Sequence, residues 1–419
     1  MDQNQSQPIN LKCDLADMLK TNIYSLYVIK IAKWFNLVMP TIVLFYQSAG
    51  MGMQDILLLK SIYSVAIVVF EIPSGYAADL WGRKKTLVVG SVFGALGFLI
   101  YSVNTLYAGF VVAEILLGLG HSFISGSDTA MLFDTLKASD RTDHYLKQEG
   151  RVTALGNFAE AIAGVVGGLL AAVSLRTPFY FQVAVAAAAI PAAICLKEPA
   201  FHTGTPGDRQ TLGRLFQTVR YTVLSNRKLK AALLISSFTG TATLTFAWFV
   251  QPFFKAVEVP IPLYGLLWTL LNLTVGAMGL CVHRYRDLFG FRIGLALAVG
   301  GVAGGYFLAG TFVTLYGLGT LLFFYMARGI ISPLLKDYIH QHCESSVRAT
   351  VLSLRNFTIR IVFALIGPLL GWMADQNSLQ SALCLTGGVY LAAVGACAAW
   401  LWYGERFSRP ALKELSGGL

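Results

Sequence analysis

The feature that most constrains this chain is the recurrence of apolar runs of about 20 residues along almost its whole length. A run of that length, wound as a helix, crosses a hydrocarbon core of roughly 30 Å. Charged residues make up only 13% of the chain, against about 25% in a globular protein. The runs lack the two-residue alternation of membrane strands, and lipid cannot satisfy an unpaired backbone. The sequence therefore predicts an all-α membrane protein.

The apolar runs predict twelve membrane helices, divided six and six by a polar central segment. We predict an N-terminal segment at 1–22, a first six-helix half at 23–197, a central segment at 198–229, a second half at 230–403 and a tail at 404–419. The first segment has no short apolar core followed by a cleavage site, so we expect no signal peptide. The predicted spans are 23–48, 55–78, 86–104, 106–136, 148–174, 178–197, 230–256, 261–282, 292–310, 313–340, 347–374 and 378–403.

The distribution of Lys and Arg predicts the orientation. Most of the 32 Lys and Arg residues flank the spans on the side of the N-terminus, whereas Lys60, Arg176 and Lys255 lie on the opposite side. Positive loops stay in the cytoplasm, so we expect both termini to be cytoplasmic, in the inner membrane. This rule explains the net charge of +10, and we expect no nucleic-acid partner. The six cysteines show no metal-ligand spacing, so we expect no metal and no cofactor.

Two stretches of the second half repeat motifs of the first. A shift of 208 positions places DLWG (79–82) on DLFG (287–290), and a shift of 199 aligns NFAEAIAGVVGGLL (157–170) with NFTIRIVFALIGPL (356–369). Both matches occur in the order that a duplication requires. They predict two parallel six-helix halves, an arrangement found in one large class of secondary transporters.

A short charged loop interrupts the apolar sequence at 74–85, SGYAADLWGRKK. From Gly75 it resembles the signature loop between helices 2 and 3 of the major facilitator superfamily: Gly, three residues, Asp, two residues, Gly-Arg-Lys. EIPSG (71–75) and SGSDTAMLFDTLK (125–137) resemble bacterial drug and metabolite efflux permeases of that family. The resemblance implies the major facilitator fold, with twelve helices in two pseudo-symmetric halves, and drug:proton antiport. It does not imply a cargo, since this fold carries many solutes.

In the resembled family this loop latches the two halves together on the cytoplasmic side. Asp79 can pair with Arg83 across the tight turn that Gly82 permits. We also expect a neighbouring helix to pack closely at Gly75. Alternatively, the loop only obeys the positive-inside rule. The residues implied in the latch are Gly75, Asp79, Gly82, Arg83, Lys84 and, at the inner end of helix 4, Asp134; the second copy offers Asp287, Gly290 and Arg292, with Phe291 in place of Arg83.

Helix 4 carries three ionisable residues at a spacing of seven. Glu114, His121 and Asp128 should lie along one face of a continuous helix, with about 20° of drift per step. An ionisable group inside the membrane is a functional hypothesis by default, and His titrates near physiological pH. The stripe therefore predicts a proton relay or a substrate contact; the alternative is structural pairing with cations on other helices.

Five cations fall inside predicted helices: Lys30, Lys33, Arg328, Arg355 and Arg360. Helices 1, 4, 7 and 10 line the cavity in the resembled family, which implies Lys30 and Arg328 as the better substrate candidates. Tyr27 and Trp34 stack beside Lys30 at helical spacing and suit an anionic or aromatic ligand. Further candidates for proton binding or for bracing are Glu71 on helix 2 and Glu160 on helix 5.

These observations predict a proton-coupled secondary transporter that moves a small amphipathic or anionic organic solute by alternating access, with efflux favoured. Its partners are then a small-molecule substrate, protons and the lipid bilayer, and we expect a monomer. One alternative is an importer of an anionic metabolite or siderophore. Others are a non-transporting receptor and a membrane enzyme, but the chain has no GxxxxGK[ST] loop and no GxSxG turn, so we expect no enzyme.

Overall fold

A computed structural model describes residues 7–199, 226–343 and 348–407, and none of these residues forms a strand. Two single-turn helices lie at Thr142–His144 and Leu315–Gly317. The α-helices, in chain order, are α1 (Gln7–Trp34), α2 (Ile42–Ser48), α3 (Met53–Trp81), α4 (Arg83–Val103), α5 (Tyr107–Ile124), α6 (Ser127–Ala138), α7 (Tyr145–Val173), α8 (Thr177–Ala187), α9 (Ala189–Cys195), α10 (Arg227–Ala256), α11 (Ile261–Thr311), α12 (Leu318–Gln341), α13 (Arg348–Gln376) and α14 (Leu379–Phe407).

Ten helical segments of the described chain are long and apolar enough to cross a membrane. The predicted span 23–48 falls on α1 and α2, which are separated by non-helical residues 35–41. Two other predicted spans, 261–282 and 292–310, fall on the two arms of α11, whose backbone leaves helical geometry at Gly290 (φ 65°, ψ 171°). The all-helical membrane architecture is confirmed. The count of twelve spans stays a prediction.

The chain divides into two compact units. Unit 1 consists of Met1–Met51, Leu58–Asp208 and Pro260–Thr269; unit 2 consists of Gly52–Leu57, Arg209–Val259 and Leu270–Leu419. The sequence-predicted boundaries of the two halves and of the polar segments stay predictions. Parts of those polar segments, at 1–6, 200–225 and 408–419, lie outside the described residues.

In unit 1, α4 and α5 pack closely through small residues. A Cβ added at Gly120 would lie 2.8 Å from the carbonyl oxygen of Gly90. Real Cβ atoms do not approach a backbone oxygen so closely, so the contact requires glycine. This close packing brings the later part of α4 beside α5, where the polar core of the unit lies.

The polar core of unit 1 is a buried ion pair between Lys60 of α3 and Glu114 of α5. Both residues are almost fully buried, at 6% and 1% exposed. Glu114 Oε1 also accepts hydrogen bonds from the hydroxyls of Tyr46 (2.9 Å) and Tyr101 (2.6 Å). Lys60 Nζ donates to the Tyr46 hydroxyl at 2.9 Å. One carboxylate oxygen thus connects α2, α3, α4 and α5. Sequence analysis placed Lys60 at an outer helix end and did not anticipate this pair.

In unit 2, α10 lies against a core of stacked aromatic rings. Phe246 of α10 stacks on Phe324 of α12 with ring centroids 3.6 Å apart, and Tyr306 of α11 meets both rings edge-on. The Tyr306 hydroxyl donates to the carbonyl oxygen of Ala242 at 2.6 Å. Stacked and edge-on rings of this kind stabilise a core beyond the area they bury. The aromatic core thus holds α10, α11 and α12 together.

The buried pair allows a stability prediction. Glu114→Gln leaves the Lys60 ammonium buried without a counter-charge, and breaking such a pair costs about 3–5 kcal/mol. We expect a clear drop in the thermal unfolding midpoint of the purified protein in detergent. The double variant Glu114→Leu/Lys60→Met removes both charges and should recover much of the loss, because a buried pair can often be replaced by apolar side chains.

The matched control is Glu258→Gln, which neutralises an exposed glutamate and should leave the midpoint unchanged. A Glu114→Gln protein as stable as its parent would contradict the role assigned to the pair.

Candidate functional site

Helix 4 is broken in the structure, which corrects the expectation of one continuous stripe. α5 ends at Ile124 and α6 begins at Ser127. Between them Ser125 is extended and Gly126 has φ +83°, a left-handed conformation that favours glycine. Glu114 and His121 therefore share α5, whereas Asp128 starts a second helix with its own direction. The three side chains do not form one helical face.

Asp128 instead pairs with Lys30 of α1. Lys30 Nζ lies 3.7 Å from Asp128 Oδ2, and both side chains are 13% exposed. The same ammonium lies 5.9 Å from the centroid of the Trp34 ring, within the range of a cation–π contact. One turn earlier on α1, the Tyr27 hydroxyl donates to Gln148 Oε1 of α7 at 2.7 Å. Lys30, Asp128 and α7 thus meet at one place in unit 1.

A second carboxylate, Glu149 of α7, belongs to this group. The charges of both Lys30 and Asp128 act on Glu149, and its side chain is partly buried. Sequence analysis missed Glu149 because it sits at the start of a predicted span beside other polar residues. We call Lys30, Asp128 and Glu149 the carboxylate cluster. It holds two acids and one base.

The other proton-coupling candidates lie apart from this cluster or make different contacts. Glu114 is bound within the buried pair with Lys60. His121 Nδ1 lies 3.3 Å from the hydroxyl of Tyr63 on α3. Glu71 is exposed on α3, and Glu160 is partly buried on α7.

Arg83, at the start of α4, connects three segments of unit 1. Its guanidinium lies 3.2 Å from Asp79 at the end of α3 and 3.8 Å from Asp134 of α6. Gly82 between the helices has φ +92°, so the chain can turn there without a Cβ clash. The structure brings the three charged residues named from the sequence together. Their role as a latch stays a prediction.

Glu198, just after α9, caps the start of α4. Its two carboxylate oxygens accept hydrogen bonds from the backbone amides of Arg83 and Lys84, each at 2.7 Å. A carboxylate at this position also complements the positive end of the helix. The preceding residue, Lys197, lies 2.5 Å from Asp17 and holds the pKa of that exposed carboxyl below its usual range. Sequence analysis missed Glu198 because a cap formed by a distant segment leaves no local pattern.

At Gly75 the structure differs from the expectation, whereas the role of the second copy of the loop stays a prediction. A Cβ at Gly75 would meet no atom within 4 Å in the part of the chain that the structure describes, so the expected close packing is not found there. In the second copy, Gly290 has φ +65°. Asp287 lies 3.5 Å from His283 on the preceding turn, and Arg292 is exposed.

Unit 2 contains a basic pocket between α10, α11, α12 and α13, with a volume of about 440 Å³. Arg328 of α12 and Arg355 and Arg360 of α13 line it. We call these residues the arginine pocket. Of the three, Arg328 and Arg360 were both candidates from the sequence. Their convergence with Arg355 was not predicted.

The arginine pocket carries fixed positive charge. Arg355 is 7% exposed, and its guanidinium donates to Ser236 Oγ and, at 3.2 Å, to Asn356 Oδ1. Arg328 lies 5.3 Å from the centroid of the Tyr325 ring. Among the described residues, the pocket lining contains no Asp or Glu. The two polar centres therefore differ chemically: the first combines carboxylates with a lysine, whereas the second holds arginines, which stay charged at physiological pH.

Comparisons with known proteins agree with this architecture. A model of the Major Facilitator Superfamily matches residues 34–368. Multidrug resistance protein 2 of Bacillus subtilis (strain 168) is 29% identical over 141 residues, 33% of this chain and 34% of that protein. Quinolone resistance protein NorA of Staphylococcus aureus (strain MRSA252) is 19% identical over 209 residues, 50% of this chain and 53% of that protein. The alignments thus span between a third and about half of each relative.

A solved structure also resembles the whole chain. The crystal structure of the nucleoside transporter NupG has a TM-score of 0.75 at 14% identity, covering 93% of this chain and 99% of that one. At this identity the likeness shows the fold alone. The family match across most of the chain, together with the helical membrane architecture, shows that the protein belongs to the Major Facilitator Superfamily and is a membrane transporter rather than an enzyme.

Proposed function

We propose that this protein is a proton-coupled secondary transporter that exports a small amphipathic or anionic organic solute by alternating access. In this proposal it works as a monomer in the cytoplasmic membrane, with both termini in the cytoplasm. The observation that carries the proposal is the carboxylate cluster, because it places two acids and one base together on membrane helices.

The charge balance of the cluster supports proton coupling. Lys30 can neutralise one of the two carboxylates, Asp128 or Glu149, and the other then remains as a partly buried negative charge. Holding such a charge is costly, and taking up a proton removes it. Groups that face the cluster are the phenol of Tyr27 on α1 and that of Tyr145 on α7. The cluster can therefore take up or release a proton while the helices around it stay packed.

The relatives support export as the direction. Two of the relatives are named for resistance to drugs and to quinolones, and resistance by a transporter means removal of the compound from the cell. Import of an anionic metabolite or siderophore is the second candidate. The arginine pocket favours this second candidate, because its basic lining suits an anionic solute.

Proton coupling can be tested in proteoliposomes with carboxyfluorescein as an anionic amphipathic probe. We expect an imposed pH gradient to drive its accumulation and a protonophore to abolish it. Asp128→Asn should lower the gradient-driven rate by roughly two orders of magnitude, the lower end of what positioned proton-transfer groups contribute. Exchange of probe across the membrane without a gradient should continue in this variant.

The matched control is Asp143→Asn, an exposed acid of the following loop, which should keep both activities. Full gradient-driven transport in both Asp128→Asn and Glu149→Gln would overturn the assignment of the cluster. Probe movement that ignores the gradient in the parent protein would overturn proton coupling itself.

The predicted latch gives a different signature. Arg83 joins Asp79 and Asp134, so Arg83→Gln should slow the conformational cycle for every solute. Transport of carboxyfluorescein should fall a few-fold to about tenfold, since each of these partly exposed ion pairs is worth about 0.2–1 kcal/mol. The pH at which transport is half-maximal should stay unchanged. Lys85→Gln, which removes an exposed cation from the same loop, is the control; a shifted pH profile in Arg83→Gln would contradict a purely conformational role.

A further inference from the structure

The walls of the arginine pocket indicate what kind of molecule would fit it. Most of the lining residues come from α10, α12 and α13, and Val275 comes from α11. Ser236, Thr239 and Thr243 of α10 follow helical spacing, as do Arg328 and Ser332 of α12. A volume of about 440 Å³ falls within the roughly 300–1,000 Å³ of small-molecule sites. The pocket is therefore large enough for an organic solute of modest size.

The part of the chain that the structure describes supplies no counter-charge to the pocket. Within the described residues, none of the three guanidiniums forms an ion pair with a carboxylate. Arg355 is held by neutral oxygens of Ser236 and Asn356, which orient the guanidinium without neutralising it. Three uncompensated positive charges among membrane helices are costly. A bound anion supplies the missing counter-charge.

The kind of charge matters as much as its amount. Guanidinium groups are planar and donate paired hydrogen bonds that match carboxylate and phosphate oxygens. Hydroxyl groups beside them can donate or accept further hydrogen bonds. The remaining wall is apolar, formed by side chains such as Leu244, Val275 and Ile359, and suits a carbon skeleton. A drug with a single negative charge, or with a positive charge, would leave most of the positive charge of the three arginines without a counter-charge.

The geometry points to an organic oxyanion with at least two negative charges, a polycarboxylate or a phosphate ester, as the ligand of the arginine pocket. This inference rests on the proposed function, because it names the class of solute that the transporter carries. It narrows the amphipathic or anionic solute of that proposal to a multiply charged anion bound by residues of unit 2 alone.

Binding to purified full-length protein tests the inference without any gradient. In neutral detergent, citrate and glucose 6-phosphate should raise the thermal unfolding midpoint, because a ligand of the native state stabilises it. Acetate, glucose and tetraphenylphosphonium should not raise the midpoint, because they carry one negative charge, no charge and one positive charge, respectively. Calorimetric titration then gives the affinity for whichever oxyanion stabilises the protein.

Variants locate the site. Arg360→Gln and Arg328→Gln should each weaken oxyanion binding by roughly tenfold or more, since each removes charge-assisted hydrogen bonds. Arg360→Lys keeps the charge but loses the paired hydrogen-bond geometry, so its affinity for the oxyanion should lie between that of the parent and that of Arg360→Gln. Arg284→Gln, which removes an exposed arginine outside the pocket, should bind as the parent does. A normal elution volume and unliganded unfolding midpoint will show that each variant is folded.

The outcomes separate this inference from the proposed function. Oxyanion binding that depends on Arg360, combined with transport that ignores a pH gradient, would overturn proton coupling and support the pocket. Gradient-driven transport of a solute, combined with no stabilisation by either oxyanion or with unchanged binding in both glutamine variants, would overturn the pocket assignment. Stabilisation only by phosphatidylglycerol nanodiscs, lost in Arg360→Gln, would assign the arginines to a lipid headgroup and overturn a solute site.

Discussion

The ion pair between Lys60 and Glu114 is the interaction on which unit 1 most depends. Both charges are removed from water almost completely, so each is stable only while the other is present. The hydroxyls of Tyr46 and Tyr101 donate to the same carboxylate oxygen, Glu114 Oε1, so four helical elements meet at one oxygen atom. This arrangement favours a structural part for Glu114. Its part in proton coupling stays a prediction.

The ion pair between Lys30 and Asp128 is built differently. The Lys30–Asp128 separation of 3.7 Å is longer than a hydrogen bond, and both side chains remain partly accessible. The two ion pairs thus differ in burial and in the number of hydrogen bonds, and the proton coupling that we propose is assigned to the looser one. The break at Gly126 separates them.

Much of the architecture could be predicted from the sequence, because membrane helices are fixed by local composition. Apolar length identified the helical segments, and the turn at Gly82 followed from its local charge and glycine pattern. The helix break at Gly126 was missed, since heptad spacing of Glu114, His121 and Asp128 assumes helical geometry throughout. Contacts between distant segments left no local signal either. Lys60 looked like a helix end, and Glu149 and Glu198 looked like ordinary loop-side acids.

The two units use charge in complementary ways, which has a consequence for the transport cycle. Arginine cannot release its proton at physiological pH, so the positive charge of the pocket in unit 2 stays constant through the cycle. A bound anion can change the net charge of the pocket: a ligand with two negative charges lowers it from +3 to +1. The carboxylate cluster of unit 1 has the opposite property, since its charge changes by protonation and needs no ligand. A solute that neutralises the first centre and a proton that neutralises the second therefore lower the cost of charge among the helices independently. For the proton-coupled export that we propose, the conformational change must be favourable when one centre alone is neutralised and unfavourable when neither or both are.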